Sequence, residues 1–460
     1  MAKKIFGIVG AAFLMALSLA TVAICQIDRK VKDDLYAQVE LYSYALTTIQ
    51  ADYVEEKTPK DLIYGSLRGM LSSLDPHSQF LDPDEYKELK TETQGKFGGL
   101  GIEISVRDGL LTIITPLEDT PAWRAGIKAG DHIVKIGDES TQDMTLDAAV
   151  KKLRGNPGTE VKITVLREGE AKLMDFAITR EIIQIQDVKN TQILENHIGY
   201  IRLAEFREDS ATAFRKALED LTQQEADGLI LDLRNNPGGL LNVAINITEE
   251  FLPQGTIIVS TKGRRLSQNT ITRSANKTHL ISWPMVVLVN EGSASGSEIL
   301  AGALQDNKRA IILGTKSFGK GSVQSVIPLP DGSGLRLTTS KYFTPSGRSI
   351  HGIGIEPDIV VKPQMPPEEA RDDKEKKVEK IFQDVQIQAV PDEEKAKQTA
   401  KETEIRERLL NDNQVQSAIS VLKGIKVYAN FAQGAGAAPA AGAATGVDNA
   451  VEPAQPVPAN

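Results

Sequence analysis

"DGLILDLRNNPGGLLNVAINITEEFL", Asp227 to Leu252, passes from one periodicity to another across a single glycine turn. Its first part is a short apolar run, Leu229 to Leu233, broken only by Asp232, which is the pattern of a buried strand. Gly238 and Gly239 end that run, and "LLNVAINITEEFL" then spaces its apolar residues as a helix does. The alternation continues on both sides. Between Gln184 and Lys362, "HIGYIRLAEF", "PMVVLVNE", "RAIILGT" and "LRLTTSKYFT" read as further strands, with "DSATAFRKALEDL" and "ASGSEILAGALQD" as helices between them. Such an order argues an α/β layered core with much parallel pairing.

Outward from this core the text changes character. Phe97 to Arg180 reads as short strands punctuated by glycine, with one helix from Thr145 to Leu153, ending at Gly155, where a left-handed residue would stop it. Asp33 to Lys96 is helical in pattern, with "LDPHSQFLDPDEYKEL" as a proline-punctuated turn into a further short helix. After Pro363 a Lys- and Glu-rich helical segment runs to an amphipathic stretch ending near Phe431. Residues 432–460 are Ala, Gly and Pro without periodicity, the composition of a disordered tail. The expected divisions are therefore 1–25, 30–96, 97–180, 184–362, 363–431 and 432–460.

The N-terminus has the layout of an export signal: "MAKK" is followed by Ile5 to Cys25 without a charged residue. That run is also long enough to span a bilayer uncleaved, so cleavage at Thr21-Val22-Ala23 and retention as a membrane anchor are both open. Ile24 is too large for a good lipid-attachment site at Cys25. Net charge is −9, which leaves no electrostatic footprint for nucleic acid. A lone cysteine and five scattered histidines exclude an internal disulfide and disfavour a zinc enzyme. No metal and no cofactor is expected.

Three clusters carry chemistry. "NEGSASGSEIL", Asn290 to Leu300, places Ser293, Ser295 and Ser297 on a strand-to-helix turn. The glycine spacing of the α/β-hydrolase elbow is missing. Ser295-Gly296-Ser297-Glu298 also fits a helix capping box, with Ser295 as N-cap and Glu298 reaching back. "GTKSFGKGSVQS", Gly314 to Ser325, holds Lys316 and Lys320 among small residues; a lysine can serve as a general base only when burial disfavours its ammonium form. "LDLRNNPGGLL" exposes backbone N–H groups at Gly238 and Gly239, where a developing oxyanion could be held. Asp232 within it reads as a strand-end residue with a local bond.

Taken in order, "LRNNPGG", "NEGSASGSEI" and "GTKSFGKGSVQ", with "LDPHSQFLDPDEY" upstream, resemble the C-terminal processing (tail-specific) peptidases, serine proteases with a Ser-Lys dyad. The resemblance covers about Tyr44 to Lys362. It implies a multi-domain α/β protein: a crotonase/ClpP-like protease core with an inserted PDZ domain, helical N- and C-terminal segments and a disordered tail. It assigns Ser295 as nucleophile, Lys320 as general base 25 residues on, and Gln324 as the group orienting the lysine. The oxyanion hole would fall on the backbone of Gly238, Gly239 and Gly296, the last a position where the family often has alanine. Residues 97–180 resemble a PDZ domain whose carboxylate-binding loop would be Gly98, Gly99, Leu100, Gly101 and Ile102. Arg154 is well placed for the dipole of the preceding helix.

The reading that follows is an exported serine endopeptidase acting on protein or peptide substrates with apolar C-termini, extracytoplasmic or periplasmic and tethered at the inner membrane if the N-terminal segment is kept. A non-catalytic PDZ adaptor and an acyl-CoA enzyme are the rival classes. The presence of nucleophile, base and orienting amide disfavours the first, and an export signal disfavours the second. The terminal helices suit either packing together or a homodimer; a dimer is favoured because the C-terminal helices would otherwise have little to cover.

Overall fold

The computed structural model describes residues 35–107, 109–117, 119–167, 170, 172–276, 281–364 and 405–435. The expected export signal and nearly all of the expected tail lie outside these residues. Two compact units divide the chain: residues 1–87 with 324–338, and residues 88–323 with 339–460.

In the first unit, the helix over residues 35–52 leaves Leu35, Tyr36, Val39, Leu41 and Tyr44 exposed. The helix Pro59–Ser72 starts where Thr58 accepts the Asp61 N–H (3.1 Å) and Pro59 occupies the first turn, where a missing N–H costs nothing. The turn at "LDPHSQFLDP" is set by Asp75, whose Oδ1 accepts from the His77 and Ser78 N–H groups, both at 2.8 Å. It releases a short strand, Gln79–Leu81, antiparallel to Gly334–Arg336, that the proline punctuation concealed. Phe80 is buried there under Tyr64, ring centroids 4.7 Å apart.

The second unit contains a small β domain and the α/β core. In the β domain, strands Ile102–Arg107, Leu110–Pro116, His132–Ile136, Glu160–Leu166 and Met174–Thr179 form one antiparallel sheet around Ile113, Ile133, Ile163 and Val165. Strand Lys96–Gly99 pairs with Glu181–Gln184 where the chain enters and leaves. The helix Leu146–Leu153 is capped by Thr145, but Gly155 is not its left-handed stop. Arg154 ends the helix in an extended conformation (φ −73°, ψ 162°). Gly155 is needed for close approach, since a Cβ there would lie 2.9 Å from the Arg180 guanidinium.

The core sheet has six strands in sequential order: β1 (Val188–Ile193), β2 (Ile198–Leu203), β3 (Gly228–Asp232), β4 (Met285–Val289), β5 (Ile311–Gly314) and β6 (Ile359–Val360). Only the β1–β2 pairing is antiparallel. Side chains alternate between faces as pleating requires. Ile201, Leu231, Val287 and Val289 face helices α1 (Ser210–Gln223), α2 (Leu241–Glu249) and α3 (Gly296–Asp306). Tyr200, Ile230, Val286 and Leu288 face the other way, onto Val415, Ala418, Ile419 and Leu422 of helix α4 (Asn413–Ala435).

Three expectations change here. The α4 helix has a sheet face of its own chain to cover, which removes the reason given for a dimer. It also runs to Ala435, past the expected start of the tail. And "LRLTTSKYFT" is no member of the parallel sheet: its strand, Gly334–Phe343, pairs antiparallel with Ile257–Gly263 through residues 340–343.

Candidate active site

Three loops leave the C-terminal ends of the adjacent parallel strands β3, β4 and β5, the edge at which open α/β sheets build their sites. They carry "RNNPGG", "NEGSAS" and "TKSFGKG".

The β4 loop separates the three serines by what their surroundings demand. Ser293 is fully buried; its Oγ donates to the Leu233 carbonyl (2.8 Å) and accepts from the Asn290 N–H (3.0 Å). Ser297 is fully buried and its Oγ donates to the Asn236 carbonyl (3.0 Å). Ser295 is half-buried, at the N-cap of α3, with φ 52° and ψ −109°. A non-glycine residue held in such a region stores roughly 1–3 kcal/mol of strain and persists only where its surroundings over-determine it.

Much of that determination comes from Glu298, fully buried in the first turn of α3. Its Oε2 accepts from the backbone N–H of both Ser295 (2.9 Å) and Lys320 (2.8 Å). Its Oε1 accepts from the Gly319 N–H (2.6 Å) and the Ser317 hydroxyl (2.5 Å). One carboxylate therefore performs the reach-back of a capping box and also fixes the backbone of the β5 loop to that of the serine turn. Burial pushes the Glu298 carboxyl above the usual range, while the donors from Ser317, Gly319, Ser295 and Lys320 pull the other way.

The β3 loop is bound to the same turn through Asn236, which is buried. Its carbonyl accepts from the Ala294 N–H (3.0 Å) and from Ser297; its Nδ2 donates to the Leu203 carbonyl (2.8 Å). Its Oδ1 takes the Gly238 N–H (2.9 Å), so of the three expected oxyanion donors Gly238 is already occupied. The N–H groups of Gly239 and Gly296 donate to no described residue. Gly238 instead permits contact: at φ 104°, a Cβ there would lie 2.7 Å from Ser295 Cβ and 2.8 Å from Gly296 N.

Arg234 and Asp232 anchor the base of this loop. Arg234 binds Asp232 through Nε and Nη2 (2.7 Å to Oδ2), and its Nη1 reaches Asp412 and Gln414, both at 2.7 Å. Tyr200 donates to the same Asp232 (2.7 Å). The bonds of Asp232 are thus not local only, because Arg234 extends them to the start of α4.

The model of Peptidase family S41 matches residues 197–361, and that of a PDZ domain matches residues 112–167. A carboxy-terminal-processing protease of Bartonella bacilliformis is 43% identical over 372 residues, 80% of this chain and 84% of that protein. This chain belongs to the carboxy-terminal processing proteases. A second relative, from Synechocystis sp., is 42% identical over 65% of this chain and 71% of its own length. A solved photosystem II D1 C-terminal processing protease is 31% identical, covering 70% of this chain and 92% of that one with a TM-score of 0.42. The protein is a serine-type endopeptidase that processes C-termini, built from an S41 core and a PDZ domain.

In this peptidase the loop from Gly98 to Ile102 is shaped from within. The Leu100 carbonyl accepts from Ala122 N (2.9 Å) and the Gly101 carbonyl from Leu117 N (2.8 Å). Gly101 has φ 77°, and a Cβ there would strike Thr120 at 2.2 Å. Beside the loop is a cavity of about 210 Å³ lined by Ile102, Ile104, Val150 and Leu153, with Phe97 and Arg154 at its border. The Arg154 guanidinium lies over the Phe97 ring (4.6 Å) and 3.7 Å from Glu88, so it answers to an aromatic face and a carboxylate as well as to a helix end.

Lys320 is half-buried between Gly319 and Gly321. A Cβ on Gly321 would lie 2.2 Å from His351 N, so the loop is threaded tightly against neighbouring backbone. Gln324 belongs to the first unit, where its Nε2 donates to Thr338 Oγ1 (2.8 Å). Among the described residues no group of three or more His, Cys, Asp or Glu could hold a metal, and no helix is long and apolar enough to cross a membrane. Glu298 and Asn236 are the site residues whose roles the sequence concealed. The capping-box pattern signalled Glu298 only as a helix end, and nothing in "RNNPGG" shows that its second Asn serves three separate elements.

Proposed function

We propose that Ser295 is the nucleophile of this peptidase and Lys320 its general base. The observation that carries the reading is the difference among the three serines. Ser293 and Ser297 are buried with hydroxyls committed to carbonyls, whereas Ser295 is half-buried on a strained turn and shares one carboxylate oxygen with the backbone of Lys320.

Neutral Lys320 accepts the Ser295 proton as Oγ attacks the scissile carbonyl carbon. The electron pair released onto the carbonyl oxygen is received by the N–H groups of Gly239 and Gly296, with Gly238 allowing the two turns to approach. Collapse of the tetrahedral species breaks the C–N bond, and the Lys320 ammonium protonates the departing amine. Water, deprotonated by Lys320, then attacks the acyl-enzyme, and the second collapse returns a proton to Ser295. Gln324 orients the lysine; an amide cannot ionise, so it does not favour the ammonium form as a carboxylate would.

At the other end of the substrate, the loop from Gly98 to Ile102 receives the terminal carboxylate, and the apolar cavity takes the last side chain. Apolar tails are preferred for that reason. The charge-free segment from Ile5 to Cys25 supports export, with or without a retained membrane anchor. The exposed apolar residues on the helix over 35–52 support a homodimer.

Ser295→Ala and Lys320→Ala should each lower kcat/KM by about 10⁴-fold or more on a protein with an apolar tail, with unfolding temperatures close to the parent's. Ser293→Ala and Ser297→Ala should instead cost roughly 1–3 kcal/mol of stability and keep the turnover of the folded enzyme. Undiminished cleavage by either dyad variant would sink the assignment. A PDZ adaptor would bind the tail and leave it whole.

A further inference from the structure

Between the PDZ domain and the oxyanion turn lies a residue the mechanism has not used. Arg207 follows β2 and is half-buried. Its Nη1 donates to Asp187 and its Nη2 to Glu205, both in close ion pairs, and its Nε donates to the Glu92 carbonyl (3.1 Å). Glu92 ends the segment that leads into the PDZ domain, and Asp187 opens the segment that leads out. The two crossings are also tied to each other, Ile185 N to Gly95 O at 2.8 Å. The stem of Arg207 packs on the entering strand as well: a Cβ on Gly95 would lie 2.9 Å from Arg207 Cδ. Ser210 completes the clamp, donating to Asp187 (2.7 Å) while accepting the Arg207 N–H (2.9 Å).

The residue before Arg207 touches both of the expected oxyanion donors that are not already occupied, Gly239 and Gly296. Phe206 N donates to Gly238 O (2.9 Å) and Phe206 O accepts from Leu240 N (2.7 Å), so its backbone brackets Gly239. Its ring backs Gly296, where an added Cβ would lie 3.1 Å away. Phe206 itself is fully buried. Arg207 is thus bonded in sequence to Phe206, against which both Gly239 and Gly296 pack.

We propose that Arg207 is a positioning residue for the oxyanion site, holding Phe206 and through it Gly239 and Gly296 in register with the two crossings into the PDZ domain. The inference rests on the reading of Ser295 as nucleophile and of these two N–H groups as oxyanion donors. Arginine is required because a fork can serve three acceptors in fixed directions, whereas a lysine is a single point charge.

The test uses the full chain and three measurements on Arg207→Lys: kcat and KM on an internally quenched peptide, the unfolding temperature, and the inhibition constants of a peptide aldehyde and its matched alcohol. The aldehyde adds to the serine and places an oxyanion in the hole; the alcohol fills the same cleft without one. Arg207→Lys should lower kcat about tenfold with KM within about twofold, and narrow the aldehyde-to-alcohol preference by a similar factor. That is less than the roughly 10²–10³-fold lost when an oxyanion donor is removed, because the donors are displaced and not deleted. A lower unfolding temperature with parental kcat and parental inhibitor preference would overturn the proposal and leave Arg207 a structural residue. Should Arg207→Lys fail to fold, Glu205→Ala removes one acceptor of the fork and should show the same pattern at about threefold; parental values there overturn it equally. Failure of the underlying reading would look different: cleavage by Ser295→Ala, or no aldehyde inhibition of the unmutated enzyme.

Discussion

Two arginines grip the chain around the Gly238–Gly239 turn, and their surroundings are unlike. Arg234 is enclosed: Asp232, Asp412 and Gln414 take its donors, and Tyr200 closes the remaining side of Asp232. Burial opposes its charge, but Asp232 and Asp412 more than offset that and hold it firmly ionised. Arg207 borders a cavity of about 260 Å³ shared with Glu92, Phe97, Arg154 and Glu205. Its partners Asp187 and Glu205 are both pushed above the usual carboxylate range by burial, against the pull of Arg207 itself. The first cluster joins a sheet end to a helix that covers the same sheet. The second joins the segment after β2 to the two crossings of the PDZ domain. Similar chemistry thus makes a fixed anchor in one place and a joint in the other.

The sharpest way to break the comparison is at Asp232. Asp232→Ala leaves Arg234 in a buried site with part of its pairing gone and Tyr200 without its acceptor, and should cost about 3–5 kcal/mol in urea unfolding. A loss below 1 kcal/mol would mean that the anchor is no anchor. Next is Gly238→Ala, which tests what both arginines hold in place. A side chain at φ 104°, driven against Ser295 and Gly296, should lower kcat about 10²-fold with a smaller change in KM, read by steady-state kinetics. Unchanged kcat would show that the two turns need not approach so closely.

The smallest effect concerns pH and separates joint from anchor. Glu205 has a folded-state affinity for protons above its ordinary value near 4.3, mainly through burial. Its contribution to stability is therefore full below that ordinary value and is lost as pH rises through the raised one. The stability of the parent relative to Glu205→Gln should accordingly grow as pH falls from neutral towards about 4, as followed by paired thermal melts. A difference that stays flat, or shrinks on acidification, contradicts the burial argument.

How far the sequence reached depends on the distance over which each feature is built. Strands such as "MVVLV" and "LILDL" were legible because burial leaves an unbroken apolar run. That same run signals cover on both faces of the sheet, but nothing in it says that the second cover is α4, which the sequence alone leaves with little to cover. The glycine pair and the three serines were legible as turns, but the commitments of Ser293 and Ser297 depend on carbonyls at Leu233 and Asn236 in another loop. Glu298 could be read as a cap from three residues' spacing; its hold on Ser317, Gly319 and Lys320 spans a separate strand. Arg207 was invisible for the same reason. "EFREDS" reads as a polar loop before a helix, and two of the arginine's acceptors, on Glu92 and Asp187, lie far from it in sequence.

The backbone of Ser295 carries a final implication, for ancestry more than for mechanism. With φ at 52° and ψ at −109°, every side chain at this position is a liability to the fold, and glycine would be the comfortable occupant. A lineage that had abandoned hydrolysis and lived on as a tail-binding adaptor would gain stability by drifting to glycine there. On the proposed reading of Ser295 as nucleophile, the strain is the cost of keeping a hydroxyl at this turn.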